Sequence, residues 1–97
     1  MIKVVYNDKI IKICGHAGYA DYGNDIVCAS VSSIVYTTIN GILNIKEDAI
    51  KFIDKDTLEI EVLSNDEITT KLIQNMLTLL EDLARQYPKN IKISKGE

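Results

Sequence analysis

Between Asp25 and Leu43 the chain carries a run that is apolar around most of a helical circumference, and that run limits what the rest can build. Val27, Val31, Ile34, Val35, Ile39 and Ile42 are β-branched and are mediocre helix formers by themselves. A helix of this composition is stable only when it is covered on more than one side. The cover has to come from the flanking segments, several of which read as strands. Ile2, Val4 and Tyr6 alternate with Lys3 and Val5, Asn7-Asp8 signals a turn, and Lys9 to Cys14 follows with Ile11 and Ile13 inward. Beyond the helix, Ala49 to Asp54 and Thr57 to Leu63 form a second pair, joined at Asp54-Lys55-Asp56. Leu58, Ile60 and Val62 face inward there, and Glu59 and Glu61 outward as solubilising charges.

Ser64-Asn65-Asp66-Glu67 has the form of a capping box and opens a second helix, which continues to about Gln86 and stops before Pro88. Ile68, Leu72, Met76, Leu79 and Leu83 make its apolar stripe, widened by Ile73, Leu77, Leu80, Ala84 and Tyr87. So wide a face leaves area over after packing on a sheet, and the surplus predicts a homodimer interface. Ile91 and Ile93 supply a last strand within Asn90 to Ser94. The order ββαββαβ describes an α+β fold, a mainly antiparallel sheet with two packed helices, in a single domain of residues 1–97.

Composition narrows the function classes. Eleven basic and fourteen acidic residues give a net charge of -3 with no Lys/Arg-rich run, which argues against direct nucleic-acid binding. An acidic surface can still steer in a basic protein or peptide. Two cysteines, no signal-peptide pattern at Met1-Ile2-Lys3 and no long apolar run predict a cytoplasmic protein with reduced thiols and no membrane partner. One histidine and two cysteines without a Cys-x-x-Cys pair predict neither a metal site nor a cofactor, and the glycines make no phosphate-binding fingerprint.

Chemistry concentrates where the sole histidine, His16, and one of the cysteines, Cys28, bracket a short connection. Residues 15–24 read as a loop in which Gly15, Gly18 and Gly23 free the backbone, while Tyr19 and Tyr22 offer amphipathic rings that can lie over a bound peptide. Asn24 or Asp25 then caps the helix. With Asp25 as the cap, Cys28 falls in the first turn, beside unsatisfied amides and the positive end of the helix dipole, where a thiolate is favoured. Cys28 paired with an imidazole is the equipment of a cysteine hydrolase: the base takes the thiol proton, the sulfur attacks a carbonyl, and amides at the helix start hold the oxyanion. Ser32 lies one turn further along the same face. Asp21, Asn24 and Asp25 are all within reach as a partner that orients the imidazole. Cys14 reads as a small, partly buried hydrophobe.

Gly15-His16-Ala17, the eleven residues between His16 and Cys28, and Asp25-Ile26-Val27-Cys28-Ala29 followed by Ser32 resemble the signature of the bacterial ribosomal-processing cysteine protease family, Prp. The order of elements and the chain length fit that family from end to end. The resemblance implies a homodimeric peptidase that removes a short N-terminal extension from large-subunit ribosomal protein twenty-seven during ribosome assembly. It also implies a flexible loop between the two catalytic residues, here residues 17–24, with Gly18, Tyr19, Tyr22 and Gly23 as substrate-loop positions. By motif match His16 is the base and Cys28 the nucleophile, and Asp25 and Ser32 are supporting positions. Two other classes are compatible with the residues themselves: a noncatalytic ribosome-assembly factor that grips a ribosomal protein's tail, and a thiol redox sensor using Cys14 and Cys28.

Overall fold

The structure, a computed structural model, describes residues 1–15 and 22–96, the side chains of residues 22–25 apart. Seven elements follow one another: β1 (Ile2–Tyr6), β2 (Ile10–Cys14), α1 (Tyr22–Ile45), β3 (Ile50–Asp54), β4 (Leu58–Val62), α2 (Glu67–Gln86) and β5 (Ile91–Lys95). This is the expected ββαββαβ order. The strands form one sheet in the order β3-β4-β2-β1-β5. Every pairing is antiparallel except that of β1 with β5, because α2 carries the chain back across the sheet before β5 begins.

Two-residue alternation decides which face of the sheet is covered. Ile2, Val4, Ile11, Ile13, Ile50, Leu58, Ile60 and Ile91 are buried on one face, beneath both helices. The other face is open and carries Lys3, Lys12, Lys51, Glu59, Glu61 and Lys92. Glu59 stands directly across from Lys12, and Glu61 across from Lys51. Opposite charges face each other in these two pairs, whereas Lys3 and Lys92 stand side by side across β1 and β5.

Helix α1 lays Val27, Val31, Val35, Ile39 and Ile42 into the core, and α2 adds Ile73, Met76, Leu80 and Leu83. The sheet covers α1 below and α2 covers one flank; Ala29, Ser33, Thr37 and Asn40 stay exposed on its outer side. Burial on more than one side is therefore met by two neighbours, and small or polar residues fill the remaining arc. By length and composition alone, Ile26–Ile45 would cross a membrane, contrary to the expectation of no long apolar run. In this fold its branched residues lie against the sheet instead.

Two boundaries differ from expectation. α1 begins at Tyr22, so Asn24 and Asp25 lie within its first turn and do not cap it. The cap of α2 is Asp66, not Ser64: the Asp66 carboxylate accepts the Thr69 amide at 3.2 Å. Ser64 donates its hydroxyl to Asp66 and accepts from the Lys46 ammonium at 3.2 Å. Glu67, which would have closed the capping box, sits 3.0 Å from Lys71 one turn on.

Candidate active site

The end of β2 is shaped by a single glycine. Gly15 has a φ of 81°, the only positive value among the described residues. A β-carbon there would be driven into the Met1 carbonyl oxygen. Only glycine meets both demands. At this residue the extended alternation of β2 ends. His16 itself, with Gly18, Tyr19 and Asp21, lies outside the described residues, as does the rest of the loop between Gly15 and Tyr22. Tyr22, Gly23 and Asp25 belong to the first turn of α1 by their backbone; the expectation that Tyr22 and Gly23 are loop residues gives way to helix.

Cys28 is a free, half-buried cysteine packed against the hydrophobic core. With α1 starting at Tyr22, it occupies the second turn, and its amide is inside the helical hydrogen-bond ladder. The expectation that Cys28 sits among unsatisfied first-turn amides is corrected accordingly. The dipole's influence falls off within the first turn.

Ser32 and Tyr36 follow Cys28 at four-residue intervals and are half-buried like it. The three line one flank of α1, while Ser30 and Ile34 line the flank toward α2. Ser30 and Thr38 donate their hydroxyls back to the carbonyls of Ile26 and Ile34, at 2.9 and 2.8 Å. Among the described residues, the Ser32 hydroxyl makes no such bond to the Cys28 carbonyl.

The far end of this flank meets the edge strand β3. Tyr36 donates its hydroxyl to the Asp54 carboxylate, and its ring meets Phe52 edge to face, with centroids 5.6 Å apart and planes at 89°. The hydrogen bond to Asp54 raises the phenol's pKa above its ordinary value, with smaller contributions from burial and from the carboxylate's charge. Sequence reasoning missed this cluster. The spacing of Cys28, Ser32 and Tyr36 was legible, but its pairing with β3 needed the register of the edge strand.

Cys14 ends β2 on the open face, half-buried, with its thiol 3.7 Å from the Lys3 carbonyl oxygen as donor. Cys28 is on the covered side. The sheet lies between the two sulfurs, which does not suit a disulfide switch.

Comparison with known proteins agrees with the sequence resemblance. Residues 1–92 match the family model described as cysteine protease Prp. A ribosomal processing cysteine protease Prp of Mycoplasma pneumoniae is 32% identical over 98 residues, covering 94% of this chain and 91% of its own. The crystal structure of a ribosomal processing protease Prp from Staphylococcus aureus with a substrate peptide superposes with a TM-score of 0.86 at 23% identity, over 98% of this chain and 97% of that one. A second structure of that protease, with a covalently linked product peptide, gives 0.80 at 25% identity and the same coverage.

Proposed function

This chain belongs to the cysteine protease Prp family, and on that premise we propose that it removes the N-terminal extension of large-subunit ribosomal protein twenty-seven during ribosome assembly, using His16 and Cys28 as its dyad. The observation that supports this most is the placing of Cys28: half-buried against the core on α1, twelve positions after a histidine that follows Gly15, the one left-handed glycine among the described residues.

In this reading His16 takes the proton from the Cys28 thiol, and the sulfur attacks the carbonyl carbon of an extended peptide. As the carbon–nitrogen bond breaks, His16 gives the proton to the departing amine. The new N-terminus leaves, and water then hydrolyses the thioester to release the extension and restore the thiol. Asp25 and Ser32 support the dyad, and Gly18, Tyr19, Tyr22 and Gly23 lie along the peptide. The reaction belongs in the cytoplasm, where thiols stay reduced. We also infer a homodimer, because Ile68 and Leu79 on α2 and Ile26 on α1 remain exposed, Leu79 at the shallow groove between the helices.

The test is mass spectrometry of the extended ribosomal protein after incubation with the purified chain. The expected result is one cut that shortens the N-terminus. Cys28→Ala and His16→Ala each lower the rate by at least about a thousandfold while the peptide still binds. An uncut substrate with the wild-type chain would contradict the assignment.

A further inference from the structure

The sheet ends at β5 in an edge that no other strand covers: among the described residues, β5 pairs with β1 alone. The Asn90 carbonyl accepts the Ile2 amide at 2.8 Å, and Gly96 donates its amide to the Tyr6 carbonyl at 2.7 Å. The even-numbered residues of this segment therefore turn their backbone groups toward β1. By the alternation of a parallel ladder, the amides and carbonyls of Ile93 and Lys95 point the other way, out of the sheet. Donors and acceptors at strand spacing are the template on which an extended peptide adds itself. A cleft of about 530 Å³ borders this edge, lined by all of β5, by the last turns of α2 and by Pro88. Ala84, Pro88, Ile91 and Ile93 are its apolar lining.

Charge decides what fits. On the open face Lys12 and Lys51 each stand across from a glutamate, but Lys92 has only Lys3 beside it. A strand added outside β5 sets a side chain next to Lys92, and a carboxylate there supplies the counter-charge that the sheet lacks. Lys95 and Arg85 also line the cleft, against one carboxylate, Glu81; Arg85 is already held by Asp82, so the attraction falls to the two lysines. The same lysines work against a second copy of the chain, since pairing β5 with itself sets cation among cations.

We propose that the free edge of β5 is a docking site for an extended acidic segment of a partner protein. The segment adds a sixth strand to the sheet, with glutamate or aspartate beside Lys92 on the open face and apolar side chains in the cleft against Ala84 and Pro88. Backbone hydrogen bonds supply the affinity, and the alternation of acidic with apolar residues supplies the selectivity. β5 lies at the opposite edge of the sheet from β3, where α1 leans, so the site goes beyond the protease reading and does not depend on it.

The test is fluorescence anisotropy with capped peptides of about nine residues that alternate glutamate with valine, or lysine with valine, titrated with the wild-type chain and paired with amide hydrogen exchange read by NMR. The glutamate peptide binds about tenfold more tightly than the lysine peptide. On binding, the amides of Ile93 and Lys95 gain protection and those of the other edge strand, β3, do not. Lys92→Glu removes the preference without lowering the melting temperature, because it also relieves the contact with Lys3. Equal affinity for the two peptides, a preference that survives Lys92→Glu, or protection that appears away from β5 would each overturn the site. Protection of the Ile93 and Lys95 amides in a dimer of the chain before any peptide is added would overturn it in favour of a second copy. A glutamate peptide that does not bind at millimolar concentration would overturn it as well, leaving the lysines as guards that keep the edge unpaired.

Discussion

Gly15 shows most plainly how one residue serves both fold and site. Its left-handed backbone and the Met1 carbonyl against its α-carbon leave no room for a methyl group. We expect Gly15→Ala to cost about 1–3 kcal/mol, read as a lower denaturant midpoint at unchanged slope, and to impair cleavage beyond that loss by redirecting the chain into His16. The glycine was legible in the sequence as part of a loop. Its particular task was not, because the close approach of Met1 depends on the register of β1 with β2. Cys28 was legible as the nucleophile candidate from its spacing to His16. Its surroundings were misjudged: Asn24 and Asp25 are strong capping residues, and they drew the helix start three or four residues too late. Within a first turn an acidic residue is equally well placed, since it faces the positive end of the dipole. In the mechanism we propose, activation of the sulfur therefore rests on the histidine and not on the helix.

At the scale of elements, alternation and helical periodicity placed all five strands and both helices, because each buries one face and the apolar pattern records which. The α2 cap was harder to read. Ser64-Asn65-Asp66-Glu67 contains two overlapping signals, and Asp66 prevails because the Ser64 hydroxyl is turned onto its carboxylate. That bond first, and the Thr69 hydrogen bonds second, lower the Asp66 pKa to about 2. A depressed carboxylate contributes stability that is complete above its unfolded value, 3.8, and is lost as pH falls through about 2. We therefore expect the melting temperature to fall between pH 4 and pH 2. Asp66→Asn keeps a capping oxygen but does not titrate, so it should fall less steeply across that window; parallel curves would contradict the assignment. In the sheet, Ile60 on β4 is fully buried. Ile60→Ala should cost about 2–5 kcal/mol in equilibrium unfolding.

The whole molecule is two layers, with helices on one face of a sheet whose other face is left to lysines and glutamates. The core was readable from sequence because every strand alternates. The exposure of Ile26, Ile68 and Leu79 was readable only as a surplus of apolar residues, since which of them the partner helix covers depends on how α1 and α2 cross. A homodimer through these residues predicts that sedimentation at micromolar concentration gives twice the chain mass, and that Ile68→Glu with Leu79→Glu returns it to the monomer; a monomeric wild type would sink the interface. The account as a whole stands on the sulfur at position 28 being activated by the histidine twelve residues before it. The chain carries its own control in Cys14, half-buried like Cys28 but on the open face. The most direct measurement is the rate at which each cysteine is alkylated by iodoacetamide at neutral pH, resolved by peptide mass spectrometry in the wild type and in His16→Ala. The account predicts that Cys28 reacts well ahead of Cys14 and of free cysteine, and that the lead disappears without His16. Alkylation of Cys28 no faster than free cysteine, or unchanged by loss of the imidazole, would contradict it.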